Sequence, residues 1–151
     1  MKVAIIKSKK RWFLPGILVK WLTGCRAYHI GFYNEKSGKF YDMGVHRRTQ
    51  FWLDYYKPER MQVEFFSCTV KEAYLAQQVK DNPSKYGYVD YFLFLFRWLG
   101  FRVKNRSGMI CSEMVNKDLR RSRIKTPWET NDSPPSPCDF LEWYKNGSNQ
   151  V

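Results

Sequence analysis

Apolar positions along the chain alternate with period two in some stretches and recur with helical spacing in others. The run 3–7, Val3-Ala4-Ile5-Ile6-Lys7, is short and apolar and suits a buried strand. Leu14, Ile17, Leu18 and Trp21 fall at i, i+3, i+4 and i+7 and predict a helix over 13–22, with Pro15 in its first turn and Gly24 as its stop. The clearest signal is a hairpin, in which 27–33 and 39–43 flank the polar turn Asn34-Glu35-Lys36-Ser37-Gly38. Alternation puts His29, Gly31 and Tyr33 on one face and Tyr28, Ile30 and Phe32 on the other. Gly31 leaves the face beside the histidine open for another group to approach. If the turn holds an even number of residues, for instance 35–38, Asp42 shares the face of His29; a one-residue slip reverses this.

Beyond the hairpin, 44–50 reads as an irregular basic arm, 51–57 as a short helix ended by Pro58, and 61–66 as a third strand. Thr69-Val70-Lys71-Glu72 is a capping box and predicts a helix over 70–81, ended by Asn82-Pro83. The segment 88–99 is apolar on every side, but it falls short of the ~20 residues that span a bilayer. A buried helix is the plainer reading and membrane docking the sharper one. A further helix starts near Cys111, with Cys111, Met114, Val115 and Leu119 as its inward stripe and a strongly basic far end. A Pro-, Ser- and Asp-rich surface loop over 130–137 follows, and Ser136-Pro137-Cys138-Asp139 caps a last helix over 137–144. Together these elements predict one α+β domain over 1–145 and a disordered tail over 146–151.

Composition narrows the class. The chain has 151 residues, 44% of them hydrophobic and 18% aromatic, a globular balance that argues against disorder over most of its length. Lys and Arg outnumber Asp and Glu by 26 to 14, a formal charge of +12. That favours an anionic partner: nucleic acid, acidic lipid headgroups or anionic cell-wall polymer. The charge concentrates in 7–11 and in Lys117, Arg120, Arg121, Arg123 and Lys125. Four cysteines form no CxxC pair and no zinc spacing with the two histidines, so no metal or other cofactor is expected. The first residues lack the long apolar region and cleavage site of a signal peptide. The expectation is a reducing, cytoplasmic setting with free thiols and no transmembrane segment. Signal-independent export or packaging in a virus particle would leave the same sequence.

Cys111 carries the candidate chemistry. A thiol in the first turn of a helix sits over unpaired N–H groups and the positive end of the dipole, which favours thiolate. Cysteine nucleophiles need a base, itself oriented by a third polar group. His29 and Asp42 are candidates for these roles. Taken singly, a cysteine on a helix or a histidine on a strand is more often packing than catalysis. Among the rivals, Cys25 lies in a linker, Cys68 sits just outside its helix, and Cys138 has a dipole advantage beside an unhelpful Asp139. His46, in the basic arm, is an alternative orienter or a solvated side chain, and Glu35 reads as a turn residue. Glu113 opposes a thiolate at Cys111 unless it points away, as its i+2 position allows.

Here the chain resembles a family. Thr23-Gly24-Cys25-Arg26-Ala27-Tyr28-His29-Ile30-Gly31-Phe32-Tyr33 is similar to the histidine motif of the circularly permuted NlpC-type papain-like cysteine hydrolases. These include the YiiX-like bacterial proteins and have lecithin:retinol acyltransferases as distant relatives. Ile110-Cys111-Ser112-Glu113-Met114-Val115 resembles their Cys-Ser-Glu-hydrophobic signature. Tyr88-Val89-Asp90-Tyr91 resembles their Tyr-Asp-Tyr segment, and Ser136-Pro137-Cys138-Asp139-Phe140 their Ser-Pro-x-Asp-Leu segment. The motifs span roughly 13–144 in the permuted order, histidine strand first and nucleophile helix last. The resemblance implies a papain-like antiparallel sheet packed against helices, with Cys111 as nucleophile and His29 as base. Asp42 stands where the family often carries glutamate, one methylene longer. The implied activity is hydrolysis of a peptide, amide or other acyl bond through a covalent acyl-enzyme. The alternatives are a lipid-directed acyl hydrolase or acyltransferase, and a non-catalytic basic protein holding nucleic acid or a host protein.

Overall fold

A computed structural model describes residues 1–9, 25–43, 48–53, 59–81, 110–128 and 135–147. The helices expected over 13–22 and 88–99, His46 and the tail residues 148–151 lie outside them. Among the described residues the protein is α+β, with a five-stranded antiparallel sheet and three helices. The strands are β1 (Lys2–Ser8), β2 (Ala27–Tyr33), β3 (Lys39–Met43), β4 (Arg48–Trp52) and β5 (Met61–Ser67), in the spatial order β4-β3-β2-β1-β5. The helices are α1 (Glu72–Asp81), α2 (Cys111–Arg121) and α3 (Pro137–Lys145). No helix among the described residues is long and apolar enough to cross a membrane.

Two departures from the sequence reading bear on function. Residues 48–52, expected to divide between a basic arm and a short helix, form β4 instead, paired along its whole length with β3. The helix expected from 70 begins at Glu72, and the carboxylate expected to serve the Thr69 capping box is engaged by the hairpin. It accepts instead from Ser37 Oγ at 2.7 Å, from Tyr41 Oη at 2.9 Å and from Asn34 Nδ2. These bonds hold its carboxyl below the usual range, the Ser37 hydrogen bond first among them. They tie the hairpin turn to α1.

The sheet carries an apolar cluster on each face. Val3, Ile5, Ile30, Phe32, Tyr41 and Met43 pack with Leu75 of α1, Met114, Val115 and Leu119 of α2, and Phe140 of α3. The expected inward stripe of α2 is thereby borne out. Ala4, Ile6 and Phe40 form a second apolar cluster on the other face, with Tyr28, Phe51, Met61 and Val63 against it. A bulge interrupts the β1–β2 ladder: Ile6 pairs with His29, but Lys7 pairs with Ala27. Tyr28 is the extra residue. Strict alternation over 27–33 therefore fails at its first step, and Ala27 joins Ile30 and Phe32 in the helix-side core.

Candidate functional site

The hairpin turn sets the site. Asn34 N–H donates to the Lys39 carbonyl at 2.9 Å, and Gly38 N–H donates to the Asn34 carbonyl at 2.8 Å. Gly38 takes φ +69°, the left-handed region that glycine tolerates. Asn34 Oδ1 accepts from Lys36 N–H at 2.9 Å, an Asx turn that starts the reversal. The ladder aligns Tyr33 with Phe40 and Phe32 with Tyr41, leaving 35–38 as a four-residue turn. That is the even parity under which Asp42 shares the face of His29. Carried on, this register sets Asp42 opposite Gly31 and diagonal to His29, a separation that long side chains bridge.

They do bridge it. His29 Nε2 and Asp42 Oδ2 are 2.6 Å apart, a short, charge-assisted contact. Aspartate, one methylene shorter than glutamate, reaches the ring. Asp42 is buried, and its other oxygen, Oδ1, accepts the Thr49 hydroxyl from the directly opposing position on β4. A buried carboxylate needs its oxygens satisfied, and both are. Gly31 earlier read as an opening for another group, and that group is the Phe40 ring. A Cβ on Gly31 would stand 2.5 Å from Phe40 Cζ and 2.6 Å from the Tyr41 carbonyl oxygen.

Cys111 is the first residue of α2, after Ile110 in extended backbone. Glu113 turns back to accept the Ile110 N–H at 2.9 Å, a capping role that engages its carboxylate at the helix start. The Cys111 side chain is buried and lies near enough to His29 for its charge to act on the ring. The structure thus brings all three candidate residues together. Burial on its own pushes the imidazolium of His29 down. That is the largest single effect, and it is outweighed only by several acting together: the opposing charge of Cys111, hydrogen bonding to Asp42 and toward Cys111, and the charge of Asp42. The result is a histidine pushed up to about 10.

The rival cysteines separate cleanly. Cys25 and Cys138 are joined in a disulfide, with Cα atoms 6.1 Å apart, inside the usual range. This corrects the expectation of four free thiols, and with it the argument for a reducing setting. Cys68 and Cys111 remain free. Cys68 is half-buried, and its burial pushes the thiol up, away from nucleophilic use. Asp139 caps α3, accepting the Ser136 N–H at 2.6 Å while Ser136 Oγ accepts the Asp139 N–H at 3.2 Å, as the sequence suggested. Glu35 lies in the turn and pairs with Lys2 at 2.7 Å.

Two residues near the site went unnoticed in the sequence. Thr49 carries no motif, and its signal was the weak alternation of Arg48-Thr49-Gln50-Phe51-Trp52. Arg48 is buried and makes a two-pronged pair with Asp118 of α2, Nη1 to Oδ2 at 2.5 Å and Nη2 to Oδ1 at 3.1 Å. Tyr74 Oη of α1 also donates to Asp118 Oδ1, at 2.9 Å. Arginines are so seldom fully buried that the residue type pointed the other way. Among the described residues no three His, Cys, Asp or Glu side chains gather as a metal site. Compared with family models, curated proteins and solved structures, the chain matches none. The functional case therefore rests on the chemistry of the site.

Proposed function

We propose that the protein is a thiol-dependent acyl hydrolase of the peptidase or amidase type, with Cys111 as nucleophile, His29 as general base and acid, and Asp42 as its orienter. One observation carries this: a histidine held through Nε2 by a buried carboxylate at 2.6 Å, with a helix-opening cysteine near enough for its charge to act on the ring. Structural histidines need one partner; a proton relay needs two of opposite function. The order of elements, histidine strand before cysteine helix, supports a permuted papain-like arrangement, as does the antiparallel sheet.

The chemistry follows from the contacts. With Nε2 taken by Asp42, Nδ1 serves the sulfur. The Cys111 proton passes to His29, and the Asp42 carboxylate and the thiolate together stabilise the imidazolium. The thiolate adds to the substrate carbonyl, and in this reading the Cys111 backbone N–H at the helix start stabilises the oxyanion. His29 gives its proton to the leaving amine or alkoxide as the carbonyl re-forms, leaving a thioester on Cys111. Water, deprotonated by His29, then attacks the thioester and releases the carboxylic acid, and Cys111 recovers its proton.

The test is acyl-enzyme formation with p-nitrophenyl acetate, read by intact mass and peptide mapping. One acetyl group on Cys111, absent in Cys111→Ser and slowed in His29→Ala, is the expected result. Acetyl groups spread equally over Cys111 and Cys68, or on neither, would refute the proposal and favour a non-catalytic binding protein.

A further inference from the structure

We infer that Thr49 is a positioning residue for the His29 base, acting through Asp42 from β4. The inference rests on the proposed role of the Cys111–His29–Asp42 group and extends it to a fourth side chain. A carboxylate on a short stem rotates readily, because its terminal torsion is broad and nearly two-fold. One oxygen on His29 does not by itself choose an orientation. Thr49 makes the choice: its hydroxyl donates to Oδ1, which leaves Oδ2 for the ring. Its branched Cβ restricts the side-chain torsion, so the hydroxyl is aimed before Asp42 arrives. Asp42 and Thr49 are direct cross-strand partners, the closest placement the sheet offers.

The strand that presents Thr49 is itself held. Arg48, the preceding residue, points to the opposite face, where its guanidinium grips Asp118 of α2. Alternation thus gives two consecutive residues two tasks. Thr49 fixes the acid, and Arg48 fixes the strand to the helix whose first residue is Cys111. Asp42 and the nucleophile helix are referenced to one short piece of backbone. Among the charged and titratable groups that face His29 are Cys111 from α2 and Asp42 from β3, so a shift of Asp42 is felt directly at the base.

The test is the pH profile of Cys111 alkylation by iodoacetamide in the full chain, for wild type, Thr49→Val, Thr49→Ser and His29→Ala. Thr49→Val keeps the shape and removes the hydroxyl. It is expected to slow Cys111 about threefold to tenfold at neutral pH, less than the full worth of a hydrogen bond to a charged group because the effect reaches the sulfur through Asp42 and His29. It should also move the upper inflection of the profile to lower pH. Thr49→Ser should restore the wild-type profile, and the Cys68 rate should stay constant throughout. A wild-type profile in Thr49→Val overturns the inference. So does equal loss in the Val and Ser variants with Cys68 newly reactive, which would make Thr49 a packing residue. If His29→Ala leaves Cys111 unchanged, the reading of the site fails and the inference falls with it. If only Thr49→Val is silent, that reading stands and Thr49 alone is withdrawn.

Discussion

Gly31→Ala is the smallest change that should damage both the sheet and the candidate site. The new methyl carbon would lie 2.5 Å and 3.0 Å from two carbons of the Phe40 ring and 2.6 Å from the Tyr41 carbonyl oxygen. Carbon atoms rest at about 3.5–4.0 Å, so the overlap is roughly 1 Å on two sides. Phe40 is fully buried among Ala4 and Ile6, with the Phe51 ring edge-on at 5.3 Å, and the carbonyl belongs to the β3 backbone. Neither retreats cheaply. The remaining relief is for β2 to move away from β3, and that gap is the one the His29–Asp42 contact closes at 2.6 Å. A displacement near 1 Å takes that contact beyond hydrogen-bond range. Overpacking costs about 1–3 kcal/mol, and loss of a charge-assisted hydrogen bond about 1.5–3 kcal/mol more. A destabilisation of roughly 3 kcal/mol or above is therefore expected in urea titration. Cys111 alkylation at neutral pH should slow alongside it. Phe40→Leu in the same chain should recover part of the loss, since the ring supplies two of the three close contacts. An alanine variant with wild-type stability and wild-type Cys111 reactivity would refute the reasoning.

Cys25→Ser or Cys138→Ser opens a loop of 113 residues, and chain entropy assigns the bridge about 4.8 kcal/mol. Urea titration with and without dithiothreitol should move wild type by that order and leave either variant unmoved. Arg48→Met leaves Asp118 charged and buried without its main partner, a loss of about 3–5 kcal/mol; Arg48→Met with Asp118→Leu should regain most of it. The raised His29 also makes stability depend on pH. Its folded value lies above the unfolded one, so its contribution is complete below 6.5 and fades as pH rises through about 10. Denaturation midpoints of wild type should fall across that window, and those of His29→Gln should fall less.

The parts of the fold that could be read from residues are those whose partners lie nearby in sequence. The β2–β3 hairpin falls on 27–33 and 39–43 because alternation and a glycine-ended turn are local signals, and turn parity alone set Asp42 beside His29. The apolar stripe of α2 and the Ser136–Asp139 cap of α3 were legible for the same reason. What escaped depends on distant partners. β4 looks polar because its first residue is an arginine, and only Asp118, 70 residues on, makes burying that arginine tolerable. Glu72 had a local use in a capping box and was drawn instead to Ser37, Tyr41 and Asn34. The Cys25–Cys138 bridge has no spacing signature, since four cysteines permit three pairings and any of them may stay reduced.

The central claim is that Cys111, His29 and Asp42 share one proton system. Its most direct measurement is an NMR titration of the His29 ring in wild type and in Cys111→Ser, with His46 as the only other histidine in the chain. His29 in wild type is expected to hold its proton until the pH nears about 10, because the charge of Cys111 and the contacts and charge of Asp42 together outweigh burial. In Cys111→Ser that charge is gone, burial counts for more, and the ring should lose its proton at clearly lower pH. A His29 that titrates near the ordinary 6.5 in both proteins would contradict the account.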